Sequence, residues 1–214
     1  MKYIFFDMDG TLSESRQEAS PEMVEQLNRI KKIYKVIIAS GAELKRMQWQ
    51  VPVTDITFFA QNGNQVFEDW NILWTKELKD KKGILKHINK LKKNYANAEI
   101  EDRGSELVVS FTGFHADPAI KNKFDPDRKI RFAMLKKHPH PNAYVAGTSG
   151  IDYIPFTKGE NIQDYILNKG IKPSDCLYIG DALEPGANDY TVVGIIPTFP
   201  VRNPSDTLNF IKQL

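Results

Sequence analysis

The 214-residue sequence predicts an α/β fold, in which a doubly wound, Rossmann-like parallel sheet is interrupted by a smaller α+β module. Three observations predict it. Short, continuous apolar runs are typical of strands covered on both faces, as in a parallel sheet. Helix-spaced segments alternate with these runs towards both ends of the chain. The middle of the chain instead has the order helix, strand, strand, helix, strand, strand.

Four apolar, β-prone runs are expected to be the buried strands of the larger domain. The first three stop abruptly at polar residues or at glycine, and the fourth follows shortly after the third. These runs are residues 2–6, 36–39, 176–179 and 192–196.

Two segments between the runs carry helix signals. Ser20-Pro21-Glu22 provides an N-cap, a proline at the first helical position and an acidic first turn, and helix-spaced apolar residues follow. After Lys158, apolar residues again repeat on one face, and Gly170 is placed to end that helix. Strand and helix therefore alternate, as a doubly wound domain requires.

The middle of the chain predicts a separate α+β module of roughly 70 residues. A lysine-rich amphipathic helix comes first, and two alternating segments joined by Gly104-Ser105 follow as a hairpin. A second helix and a second strand pair complete the module. The expected helices are 79–95 and 124–137, and the expected strands are 98–103, 106–112, 143–146 and 151–156. The predicted domains are therefore 1–78 with 157–214 as the core and 79–156 as the insert.

The composition excludes several classes of function. A formal net charge of +2 gives no strong field for nucleic acid, and no apolar run approaches the roughly 20 residues of a membrane span. Cys176 is the only cysteine, which rules out an internal disulfide or a thiolate metal cluster. We expect a cytoplasmic protein that acts on a small molecule rather than on nucleic acid or a membrane. The oligomeric state is not indicated.

The carboxylates with the clearest chemistry are Asp7 and Asp9, directly after the first strand. Groups at the carboxyl ends of parallel strands face the ligand crevice. One carboxylate can attack phosphorus to form an acyl phosphate, while the other protonates the leaving oxygen and later deprotonates water. Gly10 permits the tight turn that this crowding needs. In isolation the segment could be a simple acidic turn. The other polar segments of the chain favour a catalytic role instead.

Two further segments could bind a phosphoryl group. Ser40 ends the second strand, and its hydroxyl and the backbone at Gly41 lie where a helix is expected to begin, which favours anions. The alternative is a plain N-cap serine. Lys158 begins another helix, where the dipole disfavours a cation, so a phosphoryl group or the Asp7 carboxylate should compensate it.

Asp181 follows the third strand and should approach Asp7 and Asp9. Carboxylates held close together repel one another unless a cation lies between them. A hard divalent ion such as Mg²⁺, with oxygen ligands, resolves this and also neutralises phosphate oxygens. Asn188 and Asp189 are expected to orient Asp181 or a metal-bound water from behind.

These segments together resemble a known family. FFDMDGTL, IIASGA, Lys158 in TKGEN and YIGDALEPGAND resemble, in order, the four motifs of the haloacid dehalogenase superfamily. The insert resembles the type IIB cap shared by Cof-like sugar phosphatases, sucrose and mannosylglycerate phosphatases, and eukaryotic-type phosphomannomutases. DGTLSESRQ and the GAND spacing are most similar to phosphomannomutase.

The resemblance implies a role for each matching residue. Asp7 would be nucleophile and metal ligand. Asp9 would be the acid/base and would give its main-chain carbonyl to Mg²⁺, and Asp181 would complete the protein ligands. Ser40 and Lys158 would bind the phosphoryl group. Arg103 resembles a cap arginine that holds a distal phosphate.

The cap also departs from the mutases. A second cap arginine is replaced around 113–115, and Gly150 takes the place of a cap serine. Both changes are expected to weaken the binding of a second phosphate group. The leading hypothesis is therefore a Mg²⁺-dependent phosphatase of a sugar phosphate, ahead of a phosphomannomutase-like mutase and of a non-catalytic sensor of phosphometabolites.

Other conspicuous residues are given ordinary roles. His115, His138 and His140 are expected on the surface because they belong to no matched ligand set. Trp49, Trp70 and Trp74 are expected to be packing residues.

Overall fold

The computed structural model describes residues 1–69 and 71–214. The chain forms two compact units: unit 1, which comprises Met1–Thr75 and Phe156–Leu214, and unit 2, which comprises Lys76–Pro155. The boundaries predicted from the sequence, after residues 78 and 156, lie a few residues away. The identification of unit 2 as a type IIB cap remains a prediction.

The bounds of the elements follow the chain. The strands are β1 (Tyr3–Asp7), β2 (Lys35–Ala39), β3 (Thr57–Ala60), β4 (Gln65–Glu68), β5 (Asn71–Thr75), β6 (Glu99–Asp102), β7 (Leu107–Ser110), β8 (Ala143–Ala146), β9 (Gly150–Tyr153), β10 (Cys176–Gly180) and β11 (Thr198–Pro200). The helices are α1 (Pro21–Ile30), α2 (Leu44–Gln50), α3 (Lys81–Leu91), α4 (Pro118–Phe124), α5 (Lys129–Lys137), α6 (Lys158–Asn168) and α7 (Pro204–Ile211).

Unit 1 confirms the predicted doubly wound sheet. Its strand order is β11-β10-β1-β2-β3-β4-β5, and the five strands from β11 to β3 are parallel. Apolar residues of α1, α2 and α7 pack on one face of this sheet, and those of α6 pack on the other. Both faces are therefore buried, which explains the continuous apolar runs of β1, β2 and β10.

The predicted helix signals of unit 1 are confirmed. Ser20 caps α1 by accepting a hydrogen bond from the Met23 N–H, and Pro21 is the first helical residue. Thr157 and Glu160 form a reciprocal capping box at the start of α6, which fixes the backbone next to Lys158. Gly170, with a φ of +63°, lies just past the end of that helix.

Unit 2 is a four-stranded antiparallel sheet in the order β6-β7-β9-β8. Residues of α3, α4 and α5 pack together with alternate residues of the strands in one core. The hairpin turn contains Gly104 with a φ of +87°, as expected for a tight connection. The predicted helix 124–137 is wrong in part, because Pro126 interrupts it and the chain forms α4 and α5 instead.

One predicted strand of unit 1 is wrong. Residues 192–196 do not extend, because a 3₁₀ helix occupies Asn188–Val192 and Gly194 turns the chain with a φ of +88°. The edge strand is β11, after Pro197. Val192 and Ile196 are nevertheless buried, so the apolar run correctly indicated core residues but not their backbone conformation.

The tryptophans have different environments. Trp74 packs against Phe59, as expected, whereas Trp49 is 50% exposed and is not a core residue. Trp70 lies outside the described residues. Of the helices in the two described segments, none is both long and apolar enough to cross a bilayer.

Candidate active site

The predicted site residues of unit 1 gather at one edge of the parallel sheet. Asp7 is the last residue of β1, Ser40 follows β2 and Asp181 follows β10. Because these strands are parallel and in direct register with their neighbours, their carboxyl ends meet at this edge. The sheet topology therefore brings together residues more than 170 positions apart.

Lys158 joins two of these segments through a buried ammonium group. Its Nζ donates to Asp7 Oδ1 at 2.7 Å, to Asp189 Oδ1 at 2.5 Å and to the Tyr178 hydroxyl at 3.0 Å. The Tyr178 hydroxyl donates in turn to Asp189 Oδ1 at 2.8 Å. The lysine side chain is 1% exposed. Its three protons are thus fully used, and the predicted compensation of a cation at this helix start is an ion pair with two carboxylates.

Three carboxylates share the same pocket. Asp7, Asp181 and Asp189 each offer an oxygen within 4.8 Å of the others. Thr11 donates to Asp181 Oδ1 at 3.3 Å. A Cβ at Gly10 would lie 2.6 Å from Asp181 Oδ2, and Gly10 has a φ of +83°, so only glycine fits there. Asp181 is exposed as a whole residue, but one of its carboxylate oxygens lies close to those of the buried Asp7 and Asp189.

The electrostatics of the cluster reflect this crowding. Burial raises the pKa of Asp7 well above its ordinary value, and the charges of Asp189 and Asp181 add to the rise although Lys158 opposes it. Removal from water, followed by repulsion from Asp189, raises the pKa of Asp181 to about 6. Burial would lower the pKa of Lys158, but Asp189 and Asp7 outweigh it and raise that pKa. The pocket therefore has too little positive charge for its carboxylates.

A divalent cation fits this donor set. Asp189 Oδ2 is buried and has no hydrogen-bond partner among the described residues. A buried carboxylate oxygen without a partner is costly, and an ion or its bound water would satisfy it. Clustered carboxylate oxygens are the ligands that hard cations prefer. The cluster could therefore hold a metal ion.

Asp9 makes its own set of contacts. Its Oδ1 accepts from Gln50 Nε2 at 2.8 Å and from the Arg16 N–H at 2.9 Å, and its Oδ2 accepts from Arg46 Nη2 at 3.0 Å. Arg46 and Gln50 lie one turn apart on α2. Neither was singled out from the sequence. Their four-residue spacing indicated that they lie on the same side of a helix. The sequence did not indicate that this side of α2 contacts Asp9.

Ser40 and Gly41 lie where the sequence predicts, but the local structure differs. Ser40 Oγ accepts from the Ala42 N–H at 3.1 Å, whereas α2 begins only at Leu44 with Glu43 as its N-cap residue. The alternative of Ser40 as a plain N-cap is therefore wrong. Its backbone is fixed on both sides, since its N–H donates to Phe59 and its carbonyl accepts from Asn62. The buried hydroxyl is held at the end of β2 by a local turn.

The remaining predicted residues have different outcomes. Asn188 is exposed at the start of the 3₁₀ helix, whereas Asp189 is buried and contacts Lys158 directly. That these two residues orient Asp181 or a metal-bound water remains a prediction. Arg103 lies in unit 2, where its guanidinium donates to Glu101 and Glu106. Binding of a distal phosphate by Arg103 remains a prediction.

Tyr178 is a second contact that sequence reasoning missed. It lies within the apolar strand β10, where a tyrosine is unremarkable. Strand alternation was the signal that could have found it, because Cys176 and Tyr178 point to the face on which α6 packs. A buried tyrosine on that face needs a hydrogen-bond partner, and Lys158 begins α6.

Comparisons with known proteins indicate the family and the fold of the chain. The sequence profile of the haloacid dehalogenase-like hydrolases matches residues 4–145. The phosphomannomutase of Schizosaccharomyces pombe is 28% identical, over 99% of this chain and 93% of its own length, and that of Spinacia oleracea is 26% identical, over 98% and 94%. A truncated, IMP-bound IMP-nucleotidase of Plasmodium falciparum has the same fold, with a TM-score of 0.70 at 15% identity, over 100% of this chain and 68% of that one.

Proposed function

Because the chain belongs to the haloacid dehalogenase-like hydrolases, we propose that it is a Mg²⁺-dependent phosphatase that forms an aspartyl-phosphate on Asp7. Its substrate would be a small phosphorylated metabolite, specifically a sugar phosphate. The observation that carries the proposal is the Asp7 carboxylate, which contacts the Lys158 ammonium at 2.7 Å beside Asp181 and Asp189. A nucleophile at the end of a strand, next to a buried cation, is what phosphoryl transfer requires.

The proposed reaction has two displacements. The Asp7 carboxylate attacks phosphorus, the bond from phosphorus to the leaving oxygen breaks, and Asp9 gives that oxygen a proton. A water then attacks the phosphorus of the acyl phosphate and gives a proton to Asp9. The bond to Asp7 breaks, which restores the carboxylate and releases inorganic phosphate.

Charge stabilisation would come from the surrounding groups. The Lys158 ammonium offsets negative charge on the transferring phosphoryl group, and the Ser40 hydroxyl with the Gly41 backbone would bind its oxygens. Asp7, Asp181, the Asp9 carbonyl and, directly or through water, Asp189 would hold Mg²⁺. When bound, Mg²⁺ neutralises the carboxylates and the phosphoryl oxygens.

Unit 2 supports a phosphatase rather than a mutase. A mutase must bind a second phosphate group while its bisphosphate intermediate changes orientation in the active site. Arg103, the predicted ligand of such a phosphate, is already paired with Glu101 at 2.6 Å and with the fully buried Glu106 at 3.0 Å. Two carboxylates beside one guanidinium leave an excess of negative charge, which would repel a phosphate. A phosphatase has no need of that contact.

A phosphosugar mutase is the second candidate, because the phosphomannomutase relatives span nearly the whole chain. We place the protein in the cytosol, with a small phosphorylated molecule as its partner. A binding protein without turnover is the least favoured alternative, because it would have no use for Asp9 as acid/base.

The test is a panel of sugar phosphates and 4-nitrophenyl phosphate assayed with Mg²⁺. We expect phosphate release that is lost in Asp7→Asn and kept in Asp55→Asn, which changes an exposed aspartate of the same unit. Tight binding without release of phosphate would favour the sensor. Conversion between hexose 1-phosphate and 6-phosphate on addition of a sugar bisphosphate, with little free phosphate, would favour the mutase.

A further inference from the structure

We propose that Arg46 and Gln50 are positioning residues that hold the Asp9 carboxylate for both proton transfers. This inference rests on the proposed function and deepens it by adding α2 to the catalytic apparatus. Asp9 lies just after β1 and directly before Gly10, which has a φ of +83°. Its side chain is 29% exposed, so packing alone does not fix it.

The two donors hold separate oxygens of one carboxylate. Arg46 is the side chain that donates to Oδ2, at 3.0 Å, and Gln50 donates to Oδ1 at 2.8 Å beside the Arg16 N–H at 2.9 Å. The terminal torsion of an aspartate is broad, so a carboxylate held at a single oxygen can still turn. Donors one helical turn apart on α2 remove that freedom, because both are attached to the same rigid element.

Gln50 shows that this arrangement is more than a surface ion pair. Its side chain is fully buried, and its Nε2 also donates to Ser13 Oγ at 2.8 Å. Its Oε1 is buried and without a hydrogen-bond partner among the described residues. A carboxylate oxygen can only accept, so the amide must present Nε2 to Asp9 and leave Oε1 unsatisfied. A purely structural position would favour an apolar residue here.

The consequence concerns both half-reactions. Asp9 must meet the leaving oxygen in the first displacement and the attacking water in the second. A displacement of about 1 Å at a reacting group can cost about 100-fold in rate. Loss of the hydrogen bonds from Arg46 and Gln50 should therefore slow each step in proportion to its need for proton transfer from or to Asp9.

The experiment compares phenyl phosphate with 4-nitrophenyl phosphate in Arg46→Met. Phenolate is the more basic leaving group and needs the proton from Asp9, whereas 4-nitrophenolate leaves without much help. We expect turnover of phenyl phosphate to fall about 10- to 100-fold. With 4-nitrophenyl phosphate, rapid mixing should show a burst of one nitrophenol per enzyme, because hydrolysis of the acyl phosphate becomes the slow step.

Lys45→Met, at an exposed position beside Arg46, is the matched control and should behave like the parent on both substrates. Gln50→Leu should slow phenyl phosphate less than Arg46→Met does, because the Arg16 N–H still donates to Asp9 Oδ1. Its folding is checked by thermal denaturation, and Gln48→Leu is its control. Equal slowing of both substrates without a burst, or no slowing, would overturn the inference. If the parent releases no phosphate, or Asp7→Asn keeps its activity, the proposed function fails first and is recognised as such.

Discussion

Both units bury a basic side chain, and the two are satisfied in different ways. Arg131 in unit 2 is fully buried, donates to Asp125 Oδ2 at 2.8 Å and also reaches the carbonyls of Ala146, Gly147 and Gly150. One carboxylate therefore meets one cation, and backbone oxygens take its other protons. Despite burial, hydrogen bonds from Arg131 lower the pKa of Asp125.

The Lys158 cluster in unit 1 has the opposite balance. Three carboxylates lie together and one ammonium contacts two of them, the pKa values of Asp7 and Asp181 rise, and an oxygen of Asp189 has no partner among the described residues. The charges and hydrogen bonds of the Arg131 ion pair are balanced, whereas the Lys158 cluster has excess negative charge and an acceptor that a ligand could use. The contrast separates a buried charge that stabilises the fold from one that can perform chemistry.

Lys158→Met should have the largest effect. Turnover should fall at least about 100-fold, because the phosphoryl charge loses its buried cation. Stability should also fall by about 3 kcal/mol, because Asp7 and Asp189 lose their partner. Phosphate release and urea denaturation measure the two effects. Lys172→Met, at an exposed position shortly after α6, should change neither by much. An active Lys158→Met would contradict the distinction between the two buried cations.

Arg131→Met should change stability alone. We expect a loss of about 3–5 kcal/mol, because Asp125 becomes an unpaired buried charge. At temperatures where the protein stays folded, kcat should stay near that of the parent. Lys129→Met, two residues earlier and exposed, should leave the urea midpoint close to that of the parent. A large loss of kcat in folded Arg131→Met would show that the two buried cations are not separate in function.

Magnesium should stabilise the open cluster. At about 100 times its Kd, Mg²⁺ should add about 2.7 kcal/mol to the free energy of unfolding. Differential scanning fluorimetry with and without EDTA measures the shift. Asp181→Asn should reduce it strongly, whereas Asp175→Asn should leave it intact. An equal shift in both variants would show that Mg²⁺ does not bind at this cluster.

The pH dependence should be the smallest effect. The pKa of Asp181 is about 6 in the folded protein and 3.8 ordinarily, so the folded state holds a proton that the unfolded state has lost. Without metal, this contribution favours the folded protein at low pH and is lost as pH rises from about 4 to about 6. The stability difference between the parent and Asp181→Asn should show this trend. Mg²⁺ competes with that proton, so its stabilising shift should grow over the same range.

Part of the site was predictable because strand ends determine it. Asp7, Ser40 and Asp181 follow apolar runs, and a parallel sheet brings such ends together whatever their separation in sequence. Lys158 was predictable because a cation at a helix start needs a negative partner. The strongest predictions were thus those made from backbone rules.

Other contacts depended on geometry that the sequence does not specify. Arg46 and Gln50 meet Asp9 only because α2 begins at Leu44 rather than directly after Ser40, which sets the face that they share. The antiparallel hairpin of β4 and β5 was also missed. It follows a buried turn in which Gln61 and Asn62 have positive φ, a conformation that is uncommon for glutamine.

The most direct test of the account is to find where the phosphoryl group goes. Acid-quenched enzyme, taken during turnover of 4-nitrophenyl phosphate and examined by peptide mass spectrometry, should carry one phosphoryl group on the peptide that contains Asp7. Arg46→Met should increase its amount, and Asp7→Asn should abolish it. Phosphate on another residue, or turnover with no phosphorylated peptide at any quench time, would contradict the account.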